Sequence, residues 1–121
     1  MKKILLVEND AFLINVYTKQ FRKSGYSTTI ATNNEIAAAR IKNIAPDLLV
    51  LDEDSSGGGA SFALRKIKES AGIKEIKMLV LSGFSKIEEP DCASVPSDAR
   101  CISKNESTAE EIVKEIEKLL N

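Results

Sequence analysis

The chain has 121 residues, about the size of one domain, and two domains cut from it would each be short of a core. With 43% hydrophobic residues, 29% charged residues and a net charge of -1, it has the composition of an ordinary globular protein and lacks the basic excess of a nucleic-acid binder. Histidine is absent, which removes Ser-His and Cys-His nucleophilic systems, most zinc sites and any self-contained phosphohistidine chemistry, leaving carboxylates, hydroxyls, lysines and backbone groups.

In chain order, Lys2 and Lys3 precede the apolar run Ile4-Leu5-Leu6-Val7, which is far too short for an export signal or a membrane span. A cytoplasmic location and no membrane association are therefore expected. Cys92 and Cys101 show no metal-binding spacing, and in such a compartment they are expected as a reduced pair. Short apolar runs then alternate with segments of helical periodicity, with no repeat and no dividing linker, so residues 1–121 read as one domain. Strands are predicted over residues 3–8, 27–31, 47–52, 77–81 and 100–103. Within the first and third, Ile4 to Val7 and Leu48 to Leu51 are continuously apolar, as in central strands of a parallel sheet covered on both faces.

Between the strands, Leu13, Val16, Tyr17 and Phe21 form one apolar stripe, Ala37, Ile41 and Ile44 a second, and Leu64, Ile67 and Ala71 a third. Gly25 and Pro46 end the first two helices. The last helix carries Ile112, Ile116 and Leu119 and opens on Ser107-Thr108-Ala109-Glu110, a capping-box pattern. The rhythm also calls for a helix within residues 84–99. Pro90 and Pro96 interrupt it, and an interior proline costs about 3 kcal/mol, so a short or distorted fourth helix is expected.

Five parallel strands with helices on both faces make a doubly wound α/β sheet, which binds ligands beyond the carboxyl ends of its strands. Polar residues gather at those ends: Glu8-Asn9-Asp10 after the first strand, Asp52-Glu53-Asp54 after the third, Ser82-Gly83 after the fourth and Lys104 after the fifth. Carboxylates clustered in a cleft repel one another unless a lysine or divalent cation neutralises them, and hard oxygen donors favour magnesium. This chemistry points to phosphoryl transfer. Asp10 or Asn9 also suits the N-cap of the first helix.

The segments Lys3-Ile4-Leu5-Leu6-Val7-Glu8-Asn9-Asp10, Pro46-Asp47-Leu48-Leu49-Val50-Leu51-Asp52, Leu81-Ser82-Gly83 and Ser103-Lys104 resemble, in order and separation, the motifs of bacterial response-regulator receiver domains. The resemblance covers essentially the whole chain. It implies a flavodoxin-like (βα)5 domain with strand order 2-1-3-4-5. It makes Asp52 the acceptor of a phosphoryl group from phosphohistidine on a sensor histidine kinase or histidine phosphotransfer protein, with the signal passed to a downstream protein. It further implies a magnesium ion held by Glu8, Asn9, Asp52 and Asp54, with Ser82 and Lys104 binding phosphoryl oxygens. No activity on an external substrate and no direct contact with nucleic acid follow from it.

Several positions depart from that pattern. Asn9 stands where the family has a second acid, so one charge is missing and magnesium binding is expected to be weakened. Asn105 replaces a proline, Cys101 replaces an aromatic switch residue, and Ser55-Ser56-Gly57-Gly58-Gly59-Ala60 replaces a Pro-containing start to the third helix. These departures motivate an alternative, a receiver-like interaction module that works without phosphorylation. A third reading takes Leu51-Asp52-Glu53-Asp54 as the Asp-x-Asp motif of haloacid-dehalogenase-like phosphatases, but that motif normally ends the first strand of its core. The glycine run lacks the Gly-Lys-Ser/Thr of a nucleotide-binding loop.

Overall fold

The computed structural model describes residues 1–52, 65, 66, 69, 76–83, 99–104 and 107–121. Its strands are β1 (Lys3–Val7), β2 (Ser27–Ala31), β3 (Leu48–Asp52), β4 (Lys77–Ser82) and β5 (Arg100–Ser103). They form one parallel sheet in the order β2-β1-β3-β4-β5. This is the expected order. Helices α1 (Ala11–Lys23) and α2 (Asn34–Ile44) follow β1 and β2, and a last helix spans Ala109–Leu120. Arg65, Lys66 and Glu69 are helical, but the third apolar stripe lies outside the described residues, as does residues 84–98 of the stretch expected to hold a short fourth helix.

Alternation along the strands sorts the core into two layers, because successive side chains point to opposite faces. Leu5 and Val7 of β1, Leu49 and Leu51 of β3, and Met78 and Val80 of β4 pack with Ala37, Ala38 and Ile41 of α2. Ile4, Leu6, Leu48, Val50, Leu79 and Leu81 pack on the opposite face with Tyr17 and Phe21 of α1 and with Ile112, Val113 and Ile116 of the last helix. Residues Ile4 through Val7 and Leu48 through Leu51 are fully buried, as strands covered on both faces must be. Each such leucine or isoleucine contributes about 1.5–3 kcal/mol by leaving water.

The helix ends show why the chain turns where it does. Asp10 caps α1, its carboxylate accepting hydrogen bonds from the backbone N–H groups of Phe12 at 2.9 Å and Leu13 at 3.2 Å. Gly25, at φ 91, carries the chain out of that helix. Asn33 caps α2 through Ile36 N–H, and α2 ends at Ala45, a non-glycine residue in the left-handed region (φ 49), just before Pro46. The last helix does use a capping box, but one residue later than expected. Thr108 is the N-cap and Glu111 its partner, at 3.1 and 3.2 Å, rather than Ser107 with Glu110.

One expectation is overturned. Cys101 is disulfide-bonded rather than a free thiol, and no free cysteine occurs among the described residues. The sequence holds one other cysteine, Cys92, which lies outside those residues. Cysteine number and inferred compartment carry no information about distance, whereas a disulfide depends on two Cα atoms meeting within about 7 Å, a matter of tertiary path.

Candidate phosphoacceptor site

The alternation that builds the core also aims the site. Glu8 continues the Ile4, Leu6 series and Asp52 the Leu48, Val50 series, so both carboxylates follow the register of the face covered by α1 and the last helix. Both residues are fully buried. Glu8 N–H donates to Ala31 O at 3.0 Å, extending the β1–β2 pairing by one residue, and the Glu8 carboxylate accepts from Asp10 N–H at 3.1 Å.

Asp52 ends β3 in register with Leu81, one residue before Ser82 on β4. Ser82 is buried and pairs in register with Ser103 of β5. Lys104 then ties the strand ends together twice. Its backbone N–H donates to Ser82 O at 2.8 Å, and its ammonium donates to both oxygens of Asp52, Oδ1 at 3.0 Å and Oδ2 at 2.9 Å. The Asp52 side chain has no exposed surface and that of Lys104 only 14%, so this pair operates largely out of water. A buried carboxylate is costly unless paired and hydrogen-bonded, and Lys104 supplies both.

The structure thus brings Glu8, Asp52, Ser82 and Lys104 to one rim, from four strand ends. Asn9 is exposed at its edge, Asp10 is engaged in capping, and Asp54 lies outside the described residues. Among the described residues, the buried Glu8 and Asp52 carboxylates and the Lys104 ammonium gather at this rim, a site of hard oxygen donors. That donor set fits magnesium in kind, with Glu8 and Asp52 as anionic ligands and Asn9 as a neutral one. Among the described residues no group of three His, Cys, Asp or Glu side chains is placed to hold a metal ion.

Tyr17 belongs to this neighbourhood and the sequence reading placed it only in the α1 stripe. Burial, then the charges of Asp52 and Glu8, push its hydroxyl up to about 12, with Lys104 opposing and Asp10 adding a smaller push. Tyr17 is buried against the same sheet face as the two carboxylates, and its ring stacks on Phe21 at 6.1 Å. A signal was available: helical side chains lean toward the helix N-terminus, and here that end is the acidic rim.

No protein-family profile matches the chain. It is 29% identical over 121 residues to the response regulator receiver protein CpdR of Brucella abortus, covering 99% of this chain and 98% of the relative. The chain has the receiver-domain fold. Solved structures of the same fold include the chemotaxis response regulator CheY4 of Vibrio cholerae, at TM-score 0.82 and 16% identity, with 99% of both chains covered. They also include the receiver domain of a sensor histidine kinase of Pseudomonas aeruginosa, at TM-score 0.81 and 17% identity, with 98% of this chain and 97% of that one covered. That neighbour's structure holds a magnesium ion in its active-site cleft. At these identities the neighbours speak to the fold of the receiver domain alone. No described helix of it is long and apolar enough to cross a membrane.

Proposed function

We propose that this receiver domain takes a phosphoryl group onto Asp52 from a phosphohistidine of a sensor histidine kinase or a histidine phosphotransfer protein, and passes the signal to a downstream protein. The observation that carries the reading is the Lys104 ammonium on both oxygens of a fully buried Asp52, beside buried Ser82. A buried aspartate at a strand end, with a cation already in place, is a nucleophile whose product charge has been provided for. In the reaction an Asp52 oxygen attacks phosphorus, the phosphorus–nitrogen bond breaks, and the histidine leaves with its electron pair. Lys104 then pairs with a phosphoryl oxygen, and the Ser82 hydroxyl donates to another. Glu8, Asp52, the Asn9 amide oxygen and the backbone at Asp54 would hold magnesium, which when bound supplies positive charge to the transferring oxygens. The chemistry is self-directed, ending in an acyl phosphate that water removes, without turnover of an external substrate.

Incubation with acetyl phosphate and magnesium, followed by mass spectrometry, tests the reading. One acid-stable, base-labile phosphoryl group on Asp52 is expected, absent from Asp52→Asn. A stoichiometric adduct elsewhere, or none under conditions that phosphorylate other receiver domains, would overturn it. The phosphorylation-independent alternative is not favoured, since Asp52, Ser82 and Lys104 meet at one rim.

A further inference from the structure

The sheet ends on one side in β2, and the backbone there is left half used. Ser27 N–H donates to Lys2 O at 2.9 Å and Glu8 N–H donates to Ala31 O at 3.0 Å, so Ser27, Thr29 and Ala31 turn their backbone groups to β1. The alternation of a strand then turns the N–H and C=O groups of Thr28 and Ile30 outward, and among the described residues nothing bonds them. Edge strands are usually blunted by a lysine, a proline or a bulge. Ser27-Thr28-Thr29-Ile30-Ala31 holds neither residue, and its register with β1 is unbroken from Ser27 to Ala31. Charge is divided along the same edge. Lys2, Lys3, Arg22 and Lys23 lie exposed at the end where β2 begins, whereas Asp10 and Glu35 lie exposed at the end where it stops.

We propose that β2 is the docking edge for a second copy of this chain, paired antiparallel about a two-fold axis at Thr29. In that register Thr28 of each copy faces Ile30 of the other, and every outward N–H meets an outward C=O. Sliding the axis spoils the match. Centred on Thr28, the pairing calls on Tyr26 N–H, which already donates to Phe21 O at 3.0 Å, and centred on Ile30 it sets Thr28 against Thr32, beyond the strand. The division of charge selects the antiparallel sense, because it lays the basic end of each copy beside the acidic end of the other, whereas a parallel pair sets like beside like. Glu35 can turn to that contact, since its side chain is 81% exposed and its pairing with Lys66 is loose, at 3.8 Å. The two five-stranded sheets then run on as one. β3, with Asp52, lies two strands in from this edge, so the pairing stands apart from the phosphoacceptor chemistry.

Sedimentation of the whole chain from about 10 µM to about 1 mM in low salt tests this, since a short edge without a large anchor implies weak association, with Kd on the order of 100 µM. A monomer–dimer equilibrium is expected, weakened as salt is raised. Amide hydrogen exchange by NMR reads the register. That Kd leaves about a fifth of the chain monomeric at about 1 mM, so the Thr28 and Ile30 amides should exchange roughly five-fold more slowly there than in dilute protein. Those of Thr29 and Ala31, already bonded to β1, should not change. Lys23→Glu and Glu35→Lys, both exposed and outside the strand, should each weaken the dimer about five-fold or more, and the two changes in one chain should restore it to within about two-fold. A chain that stays monomeric at the highest concentration would overturn the proposal. So would a dimer in which Thr28 and Ile30 exchange as fast as in dilute protein, or one indifferent to both charge reversals.

Discussion

Replacing Lys104 by methionine isolates what the ammonium does for the folded state. The aliphatic stem is retained, so packing changes little, while Asp52 and Glu8 remain fully buried and the ammonium paired with Asp52 is gone. Removing one member of a buried pair costs about 3–5 kcal/mol, and the 14% exposure of the Lys104 side chain, which lets some water reach the vacated space, favours the lower end. About 3 kcal/mol is therefore expected at pH 7, a drop in Tm on the order of 10 °C for a chain of this size. Asp52→Asn should behave quite differently. Its amide is neutral, Lys104 can turn to solvent, and repulsion between Asp52 and Glu8 disappears, so stability should stay within about 1 kcal/mol of wild type or rise. The double variant should recover at least about 2 kcal/mol relative to Lys104→Met, the coupling energy of a contacting charged pair. Urea unfolding of the four proteins in a chelator, with a common m-value, measures all of this. If Lys104→Met lies within about 1 kcal/mol of wild type, Asp52 is not held by that ammonium and the account of the rim is wrong.

Three further outcomes are expected. Restoring an acid in Asn9→Asp should tighten magnesium by about 1 kcal/mol or more, the scale of a charge-assisted contact, and equal affinities by titration calorimetry would contradict the role given to that position. Ala45→Gly should gain about 0.5 kcal/mol in urea unfolding, because relief of a left-handed φ worth about 1–2 kcal/mol exceeds the added chain entropy of glycine; a loss would show that the C-cap is unstrained. Of the two tyrosines, Tyr17 should ionise last, near pH 12, since it answers to Asp52 and Glu8 as well as to burial, whereas Tyr26 is pushed up by burial and Glu117. The stability that the neutral Tyr17 hydroxyl contributes is whole below about pH 10 and declines as pH rises through about 12, because the unfolded phenol gives up its proton first. Tyrosinate absorbance in Tyr17→Phe should lack the late transition, and an unchanged profile would place that hydroxyl away from the carboxylates.

Much of this architecture was legible because its signals are local. Ile4 to Val7 and Leu48 to Leu51 announce two-sided central strands, and the polar residues that follow them fall at the same rim by the geometry of parallel βα units alone. The strand ends were placed within a residue. The misplaced capping box has a plain cause: Ser107 with Glu110 and Thr108 with Glu111 satisfy the same pattern one residue apart. Which one caps depends on where the backbone leaves its extended path, here φ -75 and ψ 162 at Thr108. Tyr17 and Cys101 were misjudged for a different reason. Each looked like core filler in its own element, and what makes each of consequence is a partner outside that element, the Asp52 and Glu8 carboxylates for one and a second sulfur for the other. Asp10 shows the reverse, since both its roles were visible and the hydrogen bonds to Phe12 and Leu13 settled on the cap.

Asp52 is the last residue of a strand hydrogen-bonded on both sides, to β1 and to β4, and every residue of that strand is buried. A nucleophile set in the stiffest part of a molecule cannot also be its moving part. A phosphoryl group taken up there, as proposed, would leave the acceptor where it was and be felt through what leans on it. Each flank is one strand and then an edge strand, β1 and β2 on one side and β4 and β5 on the other, and the second side carries Ser82 and Lys104. A change of charge at the rim has an exit sideways, through the Ser82 and Lys104 strand ends toward the β5 edge of the sheet, which gives the shortest of the described strands the most to report.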